Sequence, residues 1–464
     1  AAFQQNGSRT WDAFLKITGN LTGNNGNPWG GTVFGGMMNS GTAMTGDTYV
    51  ELSGEGIKIK GYVGNERAGT AGLRGAVYGG SWDGNLTGNT TLVISGGEYG
   101  VSSDSDLAGS VYGGGARNKD NNDNAAAKKQ YTTGSTNVFI SGGTFSNGVV
   151  AAGGAQASVA TREGNANISI SGGTFNGNVF GGSGMNGDVG STEHAGNTVV
   201  SITAAASVDL VFNAGIYGGN ATGGTVYGNT SVTLDNGNTT SGGISLSEAS
   251  SITGGGAGGA VEGDTLVTLK NVVATGNELG LDKFAGTIDG KGAGSVNGKK
   301  GMAFDHYQVS FLGTLVNFDS VSVSGNSSMS LSEALADSVL ALEVESGSSL
   351  VFSAVQGGTL DITNNGLIEI QQGLALKSAD AGTGSYLVKG GTFDLAGQTV
   401  GGRIQIAGGA LSNTSGLKDG SVFIDGMTGD IDLGGLNGSQ LGSIDTGKYH
   451  GTISGINGNL DLSG

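Results

Sequence analysis

Apolar and polar residues alternate along much of this chain with a period of two. In "VSITAAASVDLVF", beginning at Val200, the residues Val200, Ile202, Ala204, Ala206, Val208, Leu210 and Phe212 share one parity, and Ser201, Thr203, Ala205, Ser207 and Asp209 the other. That alternation predicts a strand with one face buried and one face wet. It recurs in "TLVISGGEY" from Thr91, "NVFISGGTF" from Asn137 and "NISISGGTF" from Asn167. A second short element recurs beside it: "VFGG" at Val33, "VYGG" at Val77 and Val111, "VFGG" at Val179 and "IYGG" at Ile216.

The recurrence is uneven, since Ile94, Ile140 and Ile170 lie 46 and 30 residues apart, as in repeats that keep their strands and vary their loops. The Gly-Gly pairs after each strand are expected to supply positive φ for sharp corners. Strand and corner in a fixed order describe a coil, and stacked coils bring rings into columns. One expected column holds Phe34, Tyr78, Tyr112, Phe180 and Tyr217; a second holds Tyr99, Phe145 and Phe175. Hairpins are the rival, because "DNGNT" at Asp235 and "TNNGL" at Thr363 carry Asn-Gly turn signals. The repeated unit never reverses its order, which favours parallel coils. Helical periodicity is nearly absent. The one helix candidate is "SLSEALADSVLALE" from Ser330, with Ser332 as a possible cap, and another strand after a kink is its alternative.

At about 20 to 35 residues per coil the chain gives roughly 13 to 23 coils, a rod of roughly 60 to 110 Å. The expected class is all-β, a single-stranded parallel β-helix with loop insertions. Glycine density marks a weak boundary: residues 301–380 hold 8 glycines, about half the density of the first 300 residues. The domain expectation is therefore a glycine-rich β-helix with an N-terminal cap and loop insertions over 1–300, and a β-helix of lower glycine content over 301–464, read as one continuous solenoid.

Composition narrows the function. Of 464 residues 96 are glycine and only 1 is proline, which excludes collagen and proline-rich linkers. Hydrophobic residues make up 36% and charged residues 13%, so burial must draw on small side chains and hydrogen-bonded backbone. A net charge of −17 disfavours nucleic acid and anionic lipid as partners. There is no cysteine, hence no disulfide and no thiolate metal site. No apolar run approaches 18 residues, so membrane insertion by this segment is not expected. The start at Ala1-Ala2-Phe3 is what cleavage at a small-residue signal site leaves.

With "ISGGTFNGNVFGG", "GGTLDITNNGLIEI" and "GGTFDLAGQTVGG" in view, the chain resembles the passenger regions of bacterial autotransporters and related β-helical surface proteins. The likeness lies in composition and repeat style and extends over the chain. It implies a right-handed parallel β-helix, export to the cell surface, and a role as adhesin, self-association factor or carrier of a grafted enzyme.

Candidate chemistry is sparse. "GSGMNG" at Gly182 has the glycine spacing of a dinucleotide loop, which a chain this rich in glycine writes by chance. "GSIDTGKY" at Gly442 lacks the hydroxyl residue of a phosphate loop, Tyr449 standing in its place. "GDVGS" at Gly187 approaches a serine-protease motif, but Val189 occupies the nucleophile position, Ser191 falls two places late and His194 follows too closely. Asp430 and Asp432, with Asp425 shortly before, have the spacing of paired glycosidase carboxylates, while Ile431 and Leu433 are the natural inward residues. Asp104 and Asp106, and Asp120 and Asp123, are the oxygen-rich loops suited to calcium, without a recognised calcium motif. His194, His306 and His450 are too scattered for a zinc site. The polar insertion from Ala116 is a candidate contact surface. Among Trp11, Trp29 and Trp82, Trp29 beside Pro28 suits either sugar stacking or a cap over the first coil.

No catalytic, cofactor or metal residue is assigned from these signals, and no cofactor is expected. The function expected is a non-enzymatic adhesin or structural rod, secreted or on a bacterial cell surface. Its partner would be a host-surface glycan or protein, or a further copy of itself in an oligomer or fibre. A polysaccharide lyase or glycosidase on the same fold is the other alternative.

Overall fold

A computed structural model describes residues 9–10, 12–22, 31–37, 43–59, 75–82, 84–100, 109–116, 132–155, 163–205, 208, 210–237, 243–248, 250–335, 339–424, 426, 429–445 and 451–458. The described secondary structure is almost entirely strand; three single-turn 3-10 helices, Leu281–Lys283, Thr414–Gly416 and Gly438–Gln440, are the exceptions. Every described strand-to-strand register is parallel. Antiparallel contacts occur only as isolated bridges, at Gly190–Ala195 and Ser245–Gly280. The protein is a parallel β-helix.

The chain divides into two compact units. One comprises 1–268, 275–281 and 288–300; the other 269–274, 282–287 and 301–464.

In the first unit a coil starts on a buried threonine, or at one place alanine, and runs into a strand of up to ten residues, as in Thr90–Tyr99, Thr136–Phe145 and Ala166–Phe175. In-register pairing places Thr48, Thr90, Thr136, Ala166, Thr198 and Thr230 in one row, 30 to 46 residues apart. Two rows of the same strands fill the core: Val50, Leu92, Val138, Ile168, Val200 and Val232, then Leu52, Ile94, Ile140, Ile170, Ile202 and Leu234, each at most 1% exposed. The "VxGG" elements form the opposing sheet, from Val33–Phe34 through Val77–Tyr78, Val111–Tyr112, Val150–Ala151, Val179–Phe180 and Ile216–Tyr217 to Ile252–Thr253.

The ring columns form, with two changes. Tyr99, Phe145, Phe175 and Phe212 stack at centroid spacings of 4.8, 4.7 and 4.9 Å, so that column gains Phe212. The other is split: Tyr78 stacks on Tyr112 at 5.1 Å and Phe180 on Tyr217 at 4.9 Å, but Ala151 occupies the coil between Tyr112 and Phe180.

The glycine pairs act differently from expectation. In "SGG" the strand runs on through a bulge, and only the second glycine has positive φ: Gly97 97°, Gly143 111° and Gly173 116°. In "VxGG" neither glycine has positive φ; the constraint is close approach. A Cβ on Gly35 would lie 2.3 Å from the carbonyl oxygen of Gly79, and one on Gly79 the same distance from that of Gly113. Val200 to Phe212 is also not one strand. Thr198–Thr203 and Leu210–Phe212 are separate, with Val208 37% exposed between them; Ala206, Ser207 and Asp209 lie outside the described residues.

The second unit uses shorter coils. Phe311, Leu331, Phe352, Ile370, Val388, Ile406, Ile424 and Ile444 lie in register 18 to 21 residues apart. The expected helix is absent from its described part: Ser328–Leu331 and Ala341–Val344 are strands, each paired in parallel with neighbouring coils, while 336–338 are not described. The Asn364-Asn365-Gly366 corner joins strands that both pair in parallel, so it is not a hairpin. Beneath it Asp380, 2% exposed, accepts from the amides of Asn364 and Gly382 and from the Tyr386 hydroxyl at 2.7 Å.

Candidate functional site

The paired aspartates are structural. Asp430 Oδ1 accepts from the Thr452 amide at 2.8 Å and from its hydroxyl, and these bonds hold its carboxyl below the usual carboxylate range. Asp432 Oδ1 accepts from the Gly434 amide two residues on, at 3.0 Å. Both side chains are exposed while Ile431 and Leu433 are buried, which is the solvated-strand arrangement. A carboxyl stabilised as the anion is a poor proton donor. Asp425 lies outside the described residues.

The remaining motifs are absorbed by the scaffold. In "GSGMNG" the amides turn inward: Ser183 N donates to Asn220 Oδ1, Gly184 N to the Gly154 carbonyl, and Met185 N and Gly187 N to Ser183 Oγ. In "GDVGS" Asp188 Oδ1 accepts from the Thr225 amide at 2.8 Å, Val189 is fully buried, and Ser191 and His194 close a turn through their backbones. The His306 ring Nδ1 lies 3.0 Å from the Gly325 carbonyl oxygen. Trp82 is a core residue, 3% exposed and edge-on to Tyr78 at 5.7 Å. Trp11, Trp29, Asp104, Asp106, Asp120, Asp123, Tyr449, His450 and positions 117–131 of the polar insertion lie outside the described residues. Among the described residues no group of three or more metal-ligating side chains comes together.

Sequence reading missed the strongest side-chain order in the first unit. At each coil's entrance a short polar side chain accepts the backbone N–H of the equivalent residue one coil on. Asp12 Oδ1 accepts from Asp47, Asp47 from Asn89, Asn89 from Ser135, and Ser135 Oγ from Asn165. Asn165 accepts from Asn197, Asn197 from Asn229, Asn229 from Asp264, and Asp264 from Lys299, the whole series at 2.7 to 3.1 Å. The next residue forms a second ladder. The buried hydroxyls of Thr48, Thr90, Thr198, Thr230 and Thr265 donate to the carbonyls of Gly79, Gly113, Gly218, Gly254 and Gly290 at 2.5 to 2.7 Å. The signal was present as "GDT", "GNT", "GST", "GNA", "GNT", "GNT" and "GDT", from Gly46 to Thr265.

That second ladder lapses at one place. Thr136 Oγ1 is buried with no hydrogen-bond partner, its own coil carries Ala151 and Ala152 where the neighbouring coils have an aromatic and a glycine, and Ala166 replaces the next threonine.

The outward face of the long strands presents varied chemistry in register. Register sets Thr91, Asn137, Asn167 and Val199 in one row and Val93, Phe139, Ser169 and Ser201 in another. Past the bulge lie Glu98, Thr144, Thr174 and Val211. Near its start Phe14 stacks on Tyr49 at 5.0 Å beside the Lys16–Glu51 ion pair. No protein-family model matches this chain, and neither the curated proteins nor the solved structures contain a significant match.

Proposed function

We propose that this chain is a non-enzymatic surface protein, a secreted or cell-surface adhesin or structural β-helix that presents loops and sheet faces to a partner outside the cell. The observation that carries the reading is the ladder system. One side-chain hydrogen bond joins each coil of the first unit to the next, and in most coils a second crosses from the long strand to the opposing sheet within the coil, on top of the parallel backbone pairing. Each is worth only about 0.5 to 1.5 kcal/mol net, but repeated at every coil they stiffen a chain that has no disulfide. Such order serves display: it fixes outward side chains at strand spacing, about 4.8 Å from coil to coil. The candidate carboxylates Asp430 and Asp432 are engaged as scaffold acceptors, one from the next coil and one in its own turn, which weighs against a lyase or glycosidase.

The test is binding of the purified chain to immobilised matrix proteins, a glycan panel and itself, with release of reducing or unsaturated ends assayed in parallel. Saturable binding without polymer cleavage is the expected result. Cleavage of any glycan that is lost in Asp430→Asn or Asp432→Asn overturns it. Growth of light scattering with concentration would instead favour the fibre subunit.

A further inference from the structure

We propose that the outward sheet face around Arg403 and Phe423, in the second unit, docks an extended peptide segment that carries a carboxylate among apolar residues; this rests on the adhesin reading above and names the partner's chemistry and its place. The strands Ser349–Phe352, Leu367–Ile370, Ser385–Val388, Arg403–Ile406 and Val422–Ile424 alternate inward and outward residues, and their register sets two outward rows side by side. One row runs Val351, Glu369, Leu387, Gln405 and Phe423; the other runs Ser349, Leu367, Ser385 and Arg403. Arg403 lies over the Phe423 ring, its Cζ 3.9 Å from the ring centroid. The ring in turn rests against a bare stretch of the next coil, where a Cβ on Gly442 would come within 2.7 Å of Phe423 Cε1. Guanidinium and ring are therefore set as one platform before any partner arrives.

What the platform lacks is an anion. Residues 301–464 carry 16 acidic and 5 basic side chains, so carboxylates outnumber the cations that could hold them. Lys377 takes Asp361 at 3.0 Å, and Lys389 takes Glu369 at 2.9 Å, which cancels the one charge in the row that leads to Phe423. Arg403, exposed on that same sheet, makes no hydrogen bond or ion pair among the described residues. Lys418 likewise has no ion pair among them; it opens the turn to Ser421, the residue beside Arg403 in the next coil, and Asp419 is the acid of that turn. Stacking on a ring leaves the N–H edge of a guanidinium open, and a carboxylate can take that edge in two parallel bonds. Val351, Leu367 and Leu387 extend the contact along roughly 19 Å at strand spacing, the length of about six extended residues. An arginine and an aromatic ring among aliphatic side chains is the composition of an interface anchor. The acidic surplus of the unit limits the partner's charge: a lone carboxylate is drawn to Arg403 and Lys418, and a polyanion meets net repulsion.

Arrays of capped octapeptides, each with one Glu or Asp among Leu, Phe, Ser and Thr, probed with the full chain beside matched Gln or Asn arrays, test this; polyglutamate and galacturonate oligomers serve as further probes. The wild type should bind a subset of the carboxylate peptides saturably and their amide counterparts at least tenfold more weakly, and should bind polyglutamate no better than the amides. Arg403→Gln should lose at least tenfold in affinity with an unchanged circular-dichroism spectrum, as should Phe423→Leu. Lys377→Gln, which removes a paired lysine at the end of a strand in the other sheet, should bind like the wild type. Equal binding of carboxylate and amide peptides, or of Arg403→Gln and wild type, overturns the site. Arg403-dependent binding of galacturonate oligomers where no peptide binds overturns the ligand class. Absence of peptide binding, with saturable binding to a matrix protein that Arg403→Gln leaves unchanged, overturns the inference and leaves the adhesin reading standing; absence of both overturns both.

Discussion

The threonine ladder predicts opposite signs for the same substitution at in-register positions. Thr198 and Thr136 both open a long strand, are both about fully buried, and differ in one respect: Thr198 donates to the Gly218 carbonyl, and Thr136 Oγ1 has no partner. Valine keeps the threonine shape and suits a strand, so Thr→Val removes the hydroxyl with little change of packing. At position 198 the loss is a buried hydrogen bond and a carbonyl left less satisfied, about 1 to 3 kcal/mol. At position 136 the same change removes a buried hydroxyl that is already unpaired, and stability should hold or rise by about 1 kcal/mol or more. Urea unfolding of both variants against wild type, followed with native-state hydrogen exchange of the neighbouring amides, reads both effects. Because a stacked fold need not unfold in one step, the exchange data decide where the two methods differ. If both variants are destabilised to the same extent, the partner assignment at Thr136 is wrong and the reasoning fails with it.

Truncating Phe145, held between Tyr99 and Phe175 at 4.8 and 4.7 Å, to alanine should cost about 3 to 5 kcal/mol, seen as a lowered urea midpoint. Gly79→Ala places a methyl 2.3 Å from the Gly113 carbonyl oxygen and should cost about 1 to 3 kcal/mol or more, with the loss of exchange protection centred on the "VxGG" sheet. Asp394, bonded to the Asn413 side chain and the Ala396 amide, has its carboxyl lowered like that of Asp430. Groups lowered on folding stabilise above their unfolded pKa, near 4, and lose that contribution as pH falls through the folded value. Urea midpoints should therefore drop below pH 4, and less steeply in Asp394→Asn.

What could be read from the sequence was whatever repeats as a string. The alternation in Thr91–Tyr99 and the recurrence of "VxGG" gave the parallel coils and most of both ring columns, because buried faces impose period and ring stacking imposes register. Single-residue regularities were hidden. The "GNT" entrances lie 30 to 46 residues apart with insertions between them, so Asn165 and Asn229 look like ordinary turn residues until the coils are superimposed. Ala151 escaped because a column defined by aromatics cannot show its own gap. The glycine pairs were found and half explained: the second glycine of "SGG" has the expected positive φ, in a bulge rather than a corner, whereas the close approach at "VxGG" is a contact between residues tens of positions apart and leaves no local trace.

The unequal coil lengths of the first unit imply an uneven tolerance to change. Its corners have accepted whole extra segments, which alter the distance along the chain and nothing about how one layer sits on the next. Along its "VxGG" row, Ala152 apart, a carbonyl lies against a bare α-carbon, so a methyl group added there disturbs more than a dozen residues added at a bend. Variation in such a protein should accumulate as lengthened edges around an unchanging spine, and grafted peptides will be carried at the bends and refused along that row.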